Sequence, residues 1–400
     1  MAGPVDDGAR RIGENVRAAR RASGKSLEAT AGLVGRSKAW LSKVENGRTR
    51  LERRSDIAAL ARALEVSADY LMGGPTPEVQ PERREYNLTG LQRVLLDYSP
   101  DDPPDVGARP IEFLRSEVDT ADMALRVADY ATVARILPDA IGELFVHAAA
   151  ADGPGRDEAL RLLVRACGSD ATCTLRHLGE INLAWIAGER GQQAADMLGD
   201  PVWRGAAAYG RAHARSSANR PRALMLTPKI ADEVEPHIGD DMFGRQVYGM
   251  LQLSSALACQ VDGDDQGAAA HATEAARLAE GLGEDSDAFE LFGPANTGVW
   301  RTSLAVESGQ PGEALSFADS VEPRALSSKN RRAALLLERA RARAMLGHSS
   351  EEVSRELRQA ERLSPQQVHN HPLVRELVAD MLNRAGGRDL RGLAWRMNLI

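Results

Sequence analysis

The amino-acid sequence predicts an all-α protein. Apolar residues recur at helical spacing along almost the whole chain, in segments of roughly 12 to 18 residues separated by short stretches of glycine, proline or aspartate. No segment alternates apolar and polar residues between turn signals, as the strands of a hairpin would. With 400 residues the chain is too long for one ordinary core, so we expect at least two domains.

Positive charge is concentrated near the amino end. Residues 10–75 contain 14 Lys and Arg against 7 Asp and Glu, whereas the remainder contains 36 against 50. A basic head (residues 9–75) on an acidic body indicates that only the head meets a polyanion. A chance bias of surface composition is the alternative.

The cysteines and the amino end indicate the cellular compartment. Cys167, Cys173 and Cys259 form neither a CxxC pair nor a Cys/His cluster, so we expect reduced thiols without a zinc site or disulfide framework. The amino end lacks the basic and apolar regions of a signal peptide, and no run of about 18 apolar residues occurs. The sequence therefore predicts a cytoplasmic protein without a membrane segment.

The head is predicted to contain five helices. Apolar residues at helical spacing indicate a first helix over 10–22, and a second begins at the N-cap Ser26 and ends at Gly35. A fourth is predicted over 55–64, and a fifth begins at Ser67.

The third helix lies between Gly35 and Gly47, in the segment GRSKAWLSKVENG. Ser37 stands where an N-cap belongs, and Leu41 and Val44 are spaced to face a core. The outward side chains are small or cationic: Lys38, Ala39, Ser42 and Lys43. Such a helix suits the major groove of DNA, so we interpret it as a recognition helix. A solvated helix face is the alternative.

Behind the head, residues 76–110 are predicted to be a linker with one short helix, and residues 111–400 to form a helical body. Proline-rich, charged composition favours an extended linker around the apolar helix at 88–98. In the body, helices pair around breaks at 153–155, 188–191, 262–265, 308–312 and 347–350. Stacked helical hairpins form a superhelix with a concave face for a partner.

The head resembles the phage-repressor, or Xre-type, helix-turn-helix domain. The resemblance is carried by SKAWLSKVENG in the middle, by LEVSADYLMGG at the end, and by Ala31 and Gly35. It implies base-edge contacts from Lys38, Ala39 and Lys43, phosphate contacts from Ser37, Asn46 and Arg48, and a structural ion pair between Arg20 and Glu45. It also implies double-stranded DNA as the partner, bound by a homodimer. Ser42 on the outer face of the helix and Arg50 in the cationic segment after it are further candidate DNA contacts.

One position departs from the family pattern. The family has glutamine at the start of the second helix, where this chain has Leu27, which can neither contact phosphate nor brace the recognition helix. We therefore expect orientation of that helix to rest on the Arg20–Glu45 pair and on Asn46. Trp40 is expected to pack rather than to stack on a base.

The body resembles tetratricopeptide repeats, and the whole chain is similar in architecture to the peptide-responsive regulators of the Rap/Rgg/PlcR class. This resemblance implies a peptide or small-molecule effector in the concave groove. Candidate ligand-binding residues are Asn182, Trp185, Asn296, Trp300 and Arg301. For both tryptophans packing in a hairpin core is the stronger alternative, and for Asn296 the alternative is a helix cap.

Sequence motifs of catalysis are absent. The chain has no phosphate-binding loop, HExxH or GxSxG motif, and His369 and His371 are better explained by a loop before a helix than by a metal chelate. We expect no enzyme activity, no cofactor and no metal. The favoured hypothesis is a dimeric DNA-binding transcriptional regulator. The alternatives are a scaffold or sequestering protein whose repeats bind another protein, and an antitoxin-like partner.

Overall fold

The computed structural model describes residues 7–51, 53–64, 66, 68–72, 86–150, 154–215, 222–385 and 388–400. These residues form helices and contain no strand, only an isolated bridge between Ser99 and Asp102. No helix within the described ranges is long and apolar enough to cross a bilayer. The fold is all-α, as the sequence predicts.

Five helices form the head: α1 (Asp7–Ala22), α2 (Leu27–Leu33), α3 (Lys38–Glu45), α4 (Arg54–Leu64) and α5 (Ala68–Leu71). They enclose a core of their own, in which Leu41, Leu60 and Leu71 are fully buried. Ser26 caps α2 by accepting a hydrogen bond from the Ala29 N–H at 3.0 Å. Ser67, the predicted start of α5, lies outside the described residues.

The next helices are α6 (Thr89–Asp97), α7 (Ile111–Arg126) and α8 (Tyr130–Ala149). Leu91 and Leu95 of α6 are fully buried and belong to the same apolar cluster as Leu137 of α8. The core of the body therefore includes the helix that the sequence assigns to the linker. Residues 76–85 of that linker lie outside the described residues.

The middle of the body contains α9 (Pro154–Leu163), a π-helix (Val164–Ala171), α10 (Thr172–His177), α11 (Ile181–Leu198) and α12 (Pro201–His213). The predicted break at 188–191 is wrong, because α11 runs through it without interruption. Gly188 and Gly191 serve close packing instead. A Cβ on Gly191 would lie 2.8 Å from the Cα of Gly168 in the π-helix, and one on Gly188 would lie 3.3 Å from the Cα of Arg211.

Two short helices, α13 (Arg222–Met225) and α14 (Thr227–Val234), precede three helical hairpins. The hairpins are α15 (Met242–Asp262) with α16 (Asp265–Leu282), α17 (Pro294–Glu307) with α18 (Pro311–Ser320), and α19 (Lys329–Met345) with α20 (Ser350–Leu363). Short 3-10 turns occupy Glu235–His237 and Phe289–Leu291. The breaks expected at 262–265, 308–312 and 347–350 fall inside the hairpins, whereas the one at 153–155 begins outside the described residues.

Three helices close the chain: α21 (Pro365–His369), α22 (Pro372–Ala385) and α23 (Arg388–Arg396). Leu373, at the start of α22, is buried in the core of the head. In the opposite direction, Ala58 of α4 is buried in an apolar cluster with Leu257 of α15. The head is therefore packed against the last helices and the middle of the body.

Candidate functional site

Helix α3 begins after a tight glycine turn and is capped by a serine. Gly35 has φ +64°, which lets the chain turn sharply between α2 and α3. The Ser37 hydroxyl accepts a hydrogen bond from the Trp40 N–H at 3.1 Å and so caps the helix. Leu41, Val44 and Glu45 are buried, so the opposite side of the helix is turned away from the core.

A cationic edge of α3 remains accessible. Lys38, Ala39 and Lys43 are exposed, and Ser42 is partly exposed. The Lys38 ammonium lies 3.7 Å from Glu28 but its side chain is still 63% exposed, so this ion pair does not remove it from solvent. Exposed amines on a short helix can reach base edges and phosphates.

Buried charge fixes the orientation of α3. Arg20 of α1 donates to both carboxylate oxygens of Glu45, at 2.5 and 2.9 Å, and only 3% of the Glu45 side chain is exposed. Hydrogen bonding to Glu45 raises the pKa of Arg20. Arg17, which sequence reasoning missed, donates to the Glu45 carbonyl at 3.0 Å and to Asn46 Oδ1 at 2.6 Å. Two arginines of α1 thus hold the carboxyl end of α3, next to a partly buried Leu27.

The residues around this helix have different surroundings. Asn46 and Arg48 are exposed beside the turn that follows α3. Trp40 is half-buried against the head, with the Arg36 guanidinium 5.4 Å from its ring centroid. Arg36 in turn donates to both oxygens of Asp56 at 2.8 and 3.0 Å. Trp40 therefore belongs to the packing of the head.

Arg50 does not belong to this exposed edge, and its assignment to DNA is corrected. Its side chain is only 10% exposed and donates to Asp380 of α22 at 3.0 Å, with Glu376 at 3.9 Å. The positive charge of Arg50 is therefore neutralised by carboxylates of the body.

The next arginines also join the head to the body. Glu307, at the end of α17, is 1% exposed, and its carboxylate accepts from the Arg54 N–H at 2.7 Å and from Arg341 at 2.9 Å. The Arg54 guanidinium lies 3.2 Å from the same carboxylate, and Arg53 donates to the Glu307 carbonyl at 2.7 Å. A single buried carboxylate thus anchors the start of α4.

A cavity of about 290 Å³, half open to solvent and called the interior cavity below, lies beside this junction. Its wall includes Arg54 of the head, helices α10 and α12 of the middle of the body, and α15, α17 and α19 of the hairpins. His371 and Pro372, at the start of α22, also line it. The interior cavity therefore touches both places where the head meets the body.

Charged groups in the wall of the cavity are mostly paired. Arg126 donates to Asp122 at 2.7 Å, and Arg331 lies 3.3 Å from Glu290. Arg176 of α10 has no carboxylate partner in the described part of the chain: its nearest polar neighbours are His177 Nε2 at 3.3 Å and Cys173 Sγ at 3.6 Å.

Burial keeps the histidines of the wall neutral. Burial, and after it the charge of Arg176, lowers the pKa of His177 and of His213 well below the ordinary value. Burial and the charge of Arg54 lower the pKa of His371 to about 3. At neutral pH the positive charge of the cavity is therefore carried by guanidinium groups.

A buried hydrogen-bond network holds α10 beside the cavity. The Tyr130 hydroxyl is within hydrogen-bond distance of His177 Nδ1 at 2.8 Å and Ser364 Oγ at 3.0 Å, and it donates to Asn330 Oδ1 at 2.9 Å. Asn330 donates to the Leu125 carbonyl at 2.8 Å. Distant parts of the chain thus fix the position of His177 and of its neighbour Arg176.

Only one of the five predicted ligand-binding residues, Trp300, lines the cavity. Asn182 is exposed, Trp185 packs between Arg211 and Arg215, and Arg301 lies over Phe317 at 4.0 Å. Asn296 is 1% exposed and donates to the Glu290 carbonyl at 2.9 Å, so it supports a turn of the cavity wall from behind.

The sequence analysis missed the residues that give the cavity its polar character. Arg176, His177, His213 and Arg331 come from α10, α12 and α19, which are far apart in the sequence. The only local signal is the adjacent Arg176 and His177 at the end of α10.

The described residues contain no group of three or more His, Cys, Asp or Glu side chains that could hold a metal ion. His369 and His371 do not face a common site either. His369 Nε2 is 2.8 Å from Glu361, while His371 Nδ1 accepts from the Val374 N–H at 3.4 Å and caps α22. The two side chains have separate structural contacts.

Comparison with known proteins identifies the head. A family model described as a helix-turn-helix domain matches residues 11–71. No curated protein matches the chain, and no solved structure matches it. The chain therefore has an N-terminal helix-turn-helix domain, which suggests a DNA-binding regulator rather than an enzyme.

Proposed function

We propose that the protein is a sequence-specific transcriptional regulator that binds operator DNA through α3. The observation that carries this proposal is the exposed cationic edge of α3 inside a matched helix-turn-helix domain. In this account Lys38, Ala39 and Lys43 contact base edges. Ser37, Ser42, Asn46 and Arg48 hold phosphates and fix the register. Arg50 is left out because the body neutralises it.

The head is proposed to be Xre-type, and the body to be a degenerate tetratricopeptide-like superhelix in a cytoplasmic protein. The hairpins α15–α16, α17–α18 and α19–α20 support the second assignment, since each pairs two helices across a short turn. The division into a head (9–75), a linker (76–110) and a body (111–400) is also a proposal, in which α6 packs with the body.

We propose that the protein binds DNA as a homodimer. One short helix reaches few base pairs, whereas two heads on a pseudopalindromic site double the contact and explain high affinity. Sedimentation equilibrium of the full chain, with and without duplex, measures this. Two chains per specific duplex are expected, and one chain per duplex would contradict the dimer.

The body is proposed to sense an effector, as a peptide or small molecule. The interior cavity supports this role because its wall includes both Arg54 of the head and the start of α22. A ligand that contacts these groups differently in two arrangements of the head would change the affinity for DNA.

Fluorescence anisotropy of the full chain with labelled duplex tests DNA binding. We expect association at low salt and a linear fall of log affinity with log salt, with a slope of about −0.9 per phosphate neutralised. Absence of binding at low ionic strength would reject the regulator. It would favour a scaffold or sequestering protein whose body binds another protein.

A further inference from the structure

Arg176 is the one guanidinium inside the cavity that lacks a counter-charge among the described residues. Its Nε is buried without a hydrogen-bond partner, and its terminal nitrogen contacts only Cys173 and His177. Neither group carries a negative charge: burial raises the pKa of the Cys173 thiol, which therefore stays protonated, and burial lowers the pKa of His177, whose imidazole is therefore neutral. Arg176 is partly exposed, and its charge has lost part of its hydration without gaining a carboxylate partner.

The other interior cations are already matched. Arg126 is paired with Asp122, Arg331 with Glu290, and Arg54 with Glu307. Arg215 also lines the cavity, but it is exposed to solvent and lies over the Trp185 ring at 4.7 Å. The interior therefore has room for one negative charge, and a doubly charged group would leave an excess of negative charge.

Apolar and aromatic side chains form one part of the wall, beside polar ones. Leu257, Val261, Val299 and the rings of Tyr209 and Trp300 face the cavity. The Trp300 indole lines the cavity, and its Nε1 is buried without a hydrogen-bond partner. The His213 ring lies 5.4 Å from the Trp300 ring, and the charge of Arg176 acts on it. The cation and the indole ring thus border the same cavity.

The volume limits the ligand to a small molecule. A cavity of about 150 Å³ admits benzene, and this one, of about 290 Å³, is roughly twice as large. It can take a two-ring or comparable aliphatic group with a polar head, which is smaller than most peptides.

We propose that the cavity binds a small amphiphilic monocarboxylate, whose carboxylate pairs with Arg176 and whose apolar part packs against Trp300. A guanidinium binds a carboxylate through charge-assisted hydrogen bonds, and the indole supplies apolar area. This assignment deepens the proposed effector-sensing role and rests on it.

The position of the site connects it to the head. Arg54 and His371 share the cavity wall with Arg176, and they mark the starts of α4 and α22. A carboxylate in the cavity adds negative charge near the Arg54–Glu307 contact, and its apolar part occupies space beside α22. Binding is therefore coupled to the junction between the head and the body.

Three probes of equal size and different charge test the site: naphthylacetate, naphthylacetamide and naphthylethylamine. Calorimetric titration of each into the full chain, without DNA, measures their affinities. Naphthylacetate is expected to bind at least about tenfold more tightly than the amide, since a charge-assisted hydrogen bond contributes about 1.5–3 kcal/mol. The amine is expected not to bind.

Two variants distinguish ligand binding through Arg176 from the general effect of removing one arginine. Arg176→Met should weaken naphthylacetate binding about ten- to a hundredfold and leave binding of the amide nearly unchanged. Its melting temperature without ligand should stay close to that of the wild type, because the substitution breaks no ion pair among the described residues. Arg277→Met, at an exposed site on α16, is the matched control and should bind all three probes as the wild type does.

Equal affinity for the three probes would overturn the inference. So would unchanged naphthylacetate binding by a folded Arg176→Met, or no naphthylacetate binding at about 1 mM. Anisotropy with duplex DNA is recorded separately. If naphthylacetate binds through Arg176 but leaves the affinity for DNA unaltered, the ligand-binding site is supported and its regulatory role is rejected.

Discussion

Arg54 and Glu307 are 253 positions apart, yet the backbone N–H of one donates to the buried carboxylate of the other at 2.7 Å. The same carboxylate binds Arg341 at 2.9 Å, and the guanidinium of Arg54 lies within 3.2 Å of it. The helix that follows α3 is therefore attached to the body by a contact that borders the interior cavity.

Replacing Glu307 should release the head. Glu307→Gln leaves the Arg54 guanidinium without its charge partner in a buried site, which costs about 3 kcal/mol, whereas Arg341 keeps its contact with Glu338 at 2.7 Å. Urea unfolding should report a loss of that size, and limited proteolysis should separate head from body faster. Glu313→Gln, on the exposed surface of α18, is the control and should change neither. Wild-type stability of the Glu307 variant would mean that apolar packing alone holds the head.

A second prediction concerns the close approach of α12 to the π-helix. A Cβ on Gly210 would overlap the carbonyl group of Gly168, so Gly210→Ala should destabilise the body by about 1–3 kcal/mol. Gly281→Ala, where nothing lies within 4 Å of the added Cβ, should instead stabilise α16 by about 0.5–1 kcal/mol. Equal effects of the two substitutions in thermal unfolding would contradict this packing.

The third prediction is a pH dependence of stability. Burial and Arg54 hold the pKa of His371 at about 3, below its ordinary value of 6.5. Between these values the unfolded chain binds a proton that the folded chain does not, so the free energy of unfolding decreases as pH falls from 6.5 towards 3. The lowered pKa values of His177 and His213 act in the same direction.

His371→Asn isolates this effect. The asparagine oxygen can still accept from the Val374 N–H and cap α22, but it does not titrate. Its melting temperature should vary less with pH between 6.5 and 4.5 than that of the wild type. His237→Asn, at an exposed position, should keep the wild-type slope. An unchanged slope for His371→Asn would show that other groups govern acid stability.

Local signals in the sequence were sufficient for much of the head. Ser26 and Ser37 cap their helices, and Gly35 takes a positive φ, because capping and turn chemistry depend on adjacent residues. The ion pair of Arg20 with Glu45 could be expected only through family resemblance. The contribution of Arg17 depends on how α1 crosses α3, which no local pattern encodes.

Tertiary contacts explain the differences between the structure and the predictions from sequence. Gly188 and Gly191 were interpreted as a break because glycine usually weakens a helix, whereas here the missing Cβ atoms allow neighbouring helices to approach. Arg50 was assigned to DNA from its charge, but its partner Asp380 lies 330 positions away. The cavity has the same origin, since its polar residues meet only after the hairpins have stacked.

The central claim is that α3 reads DNA sequence through Lys38 and Lys43. Both side chains are exposed, so replacing them with alanine should leave folding intact while removing discrimination of about 1–3 kcal/mol per base contact. Lys229→Ala, an exposed lysine of α14, is the matched control.

Selection of duplexes from a random pool, with the wild type and with Lys38→Ala/Lys43→Ala, tests this claim most directly. The wild type and Lys229→Ala should enrich one common motif, and the double variant should enrich none or a relaxed one. Enrichment of the same motif by the double variant, or of no motif by the wild type, would contradict the account.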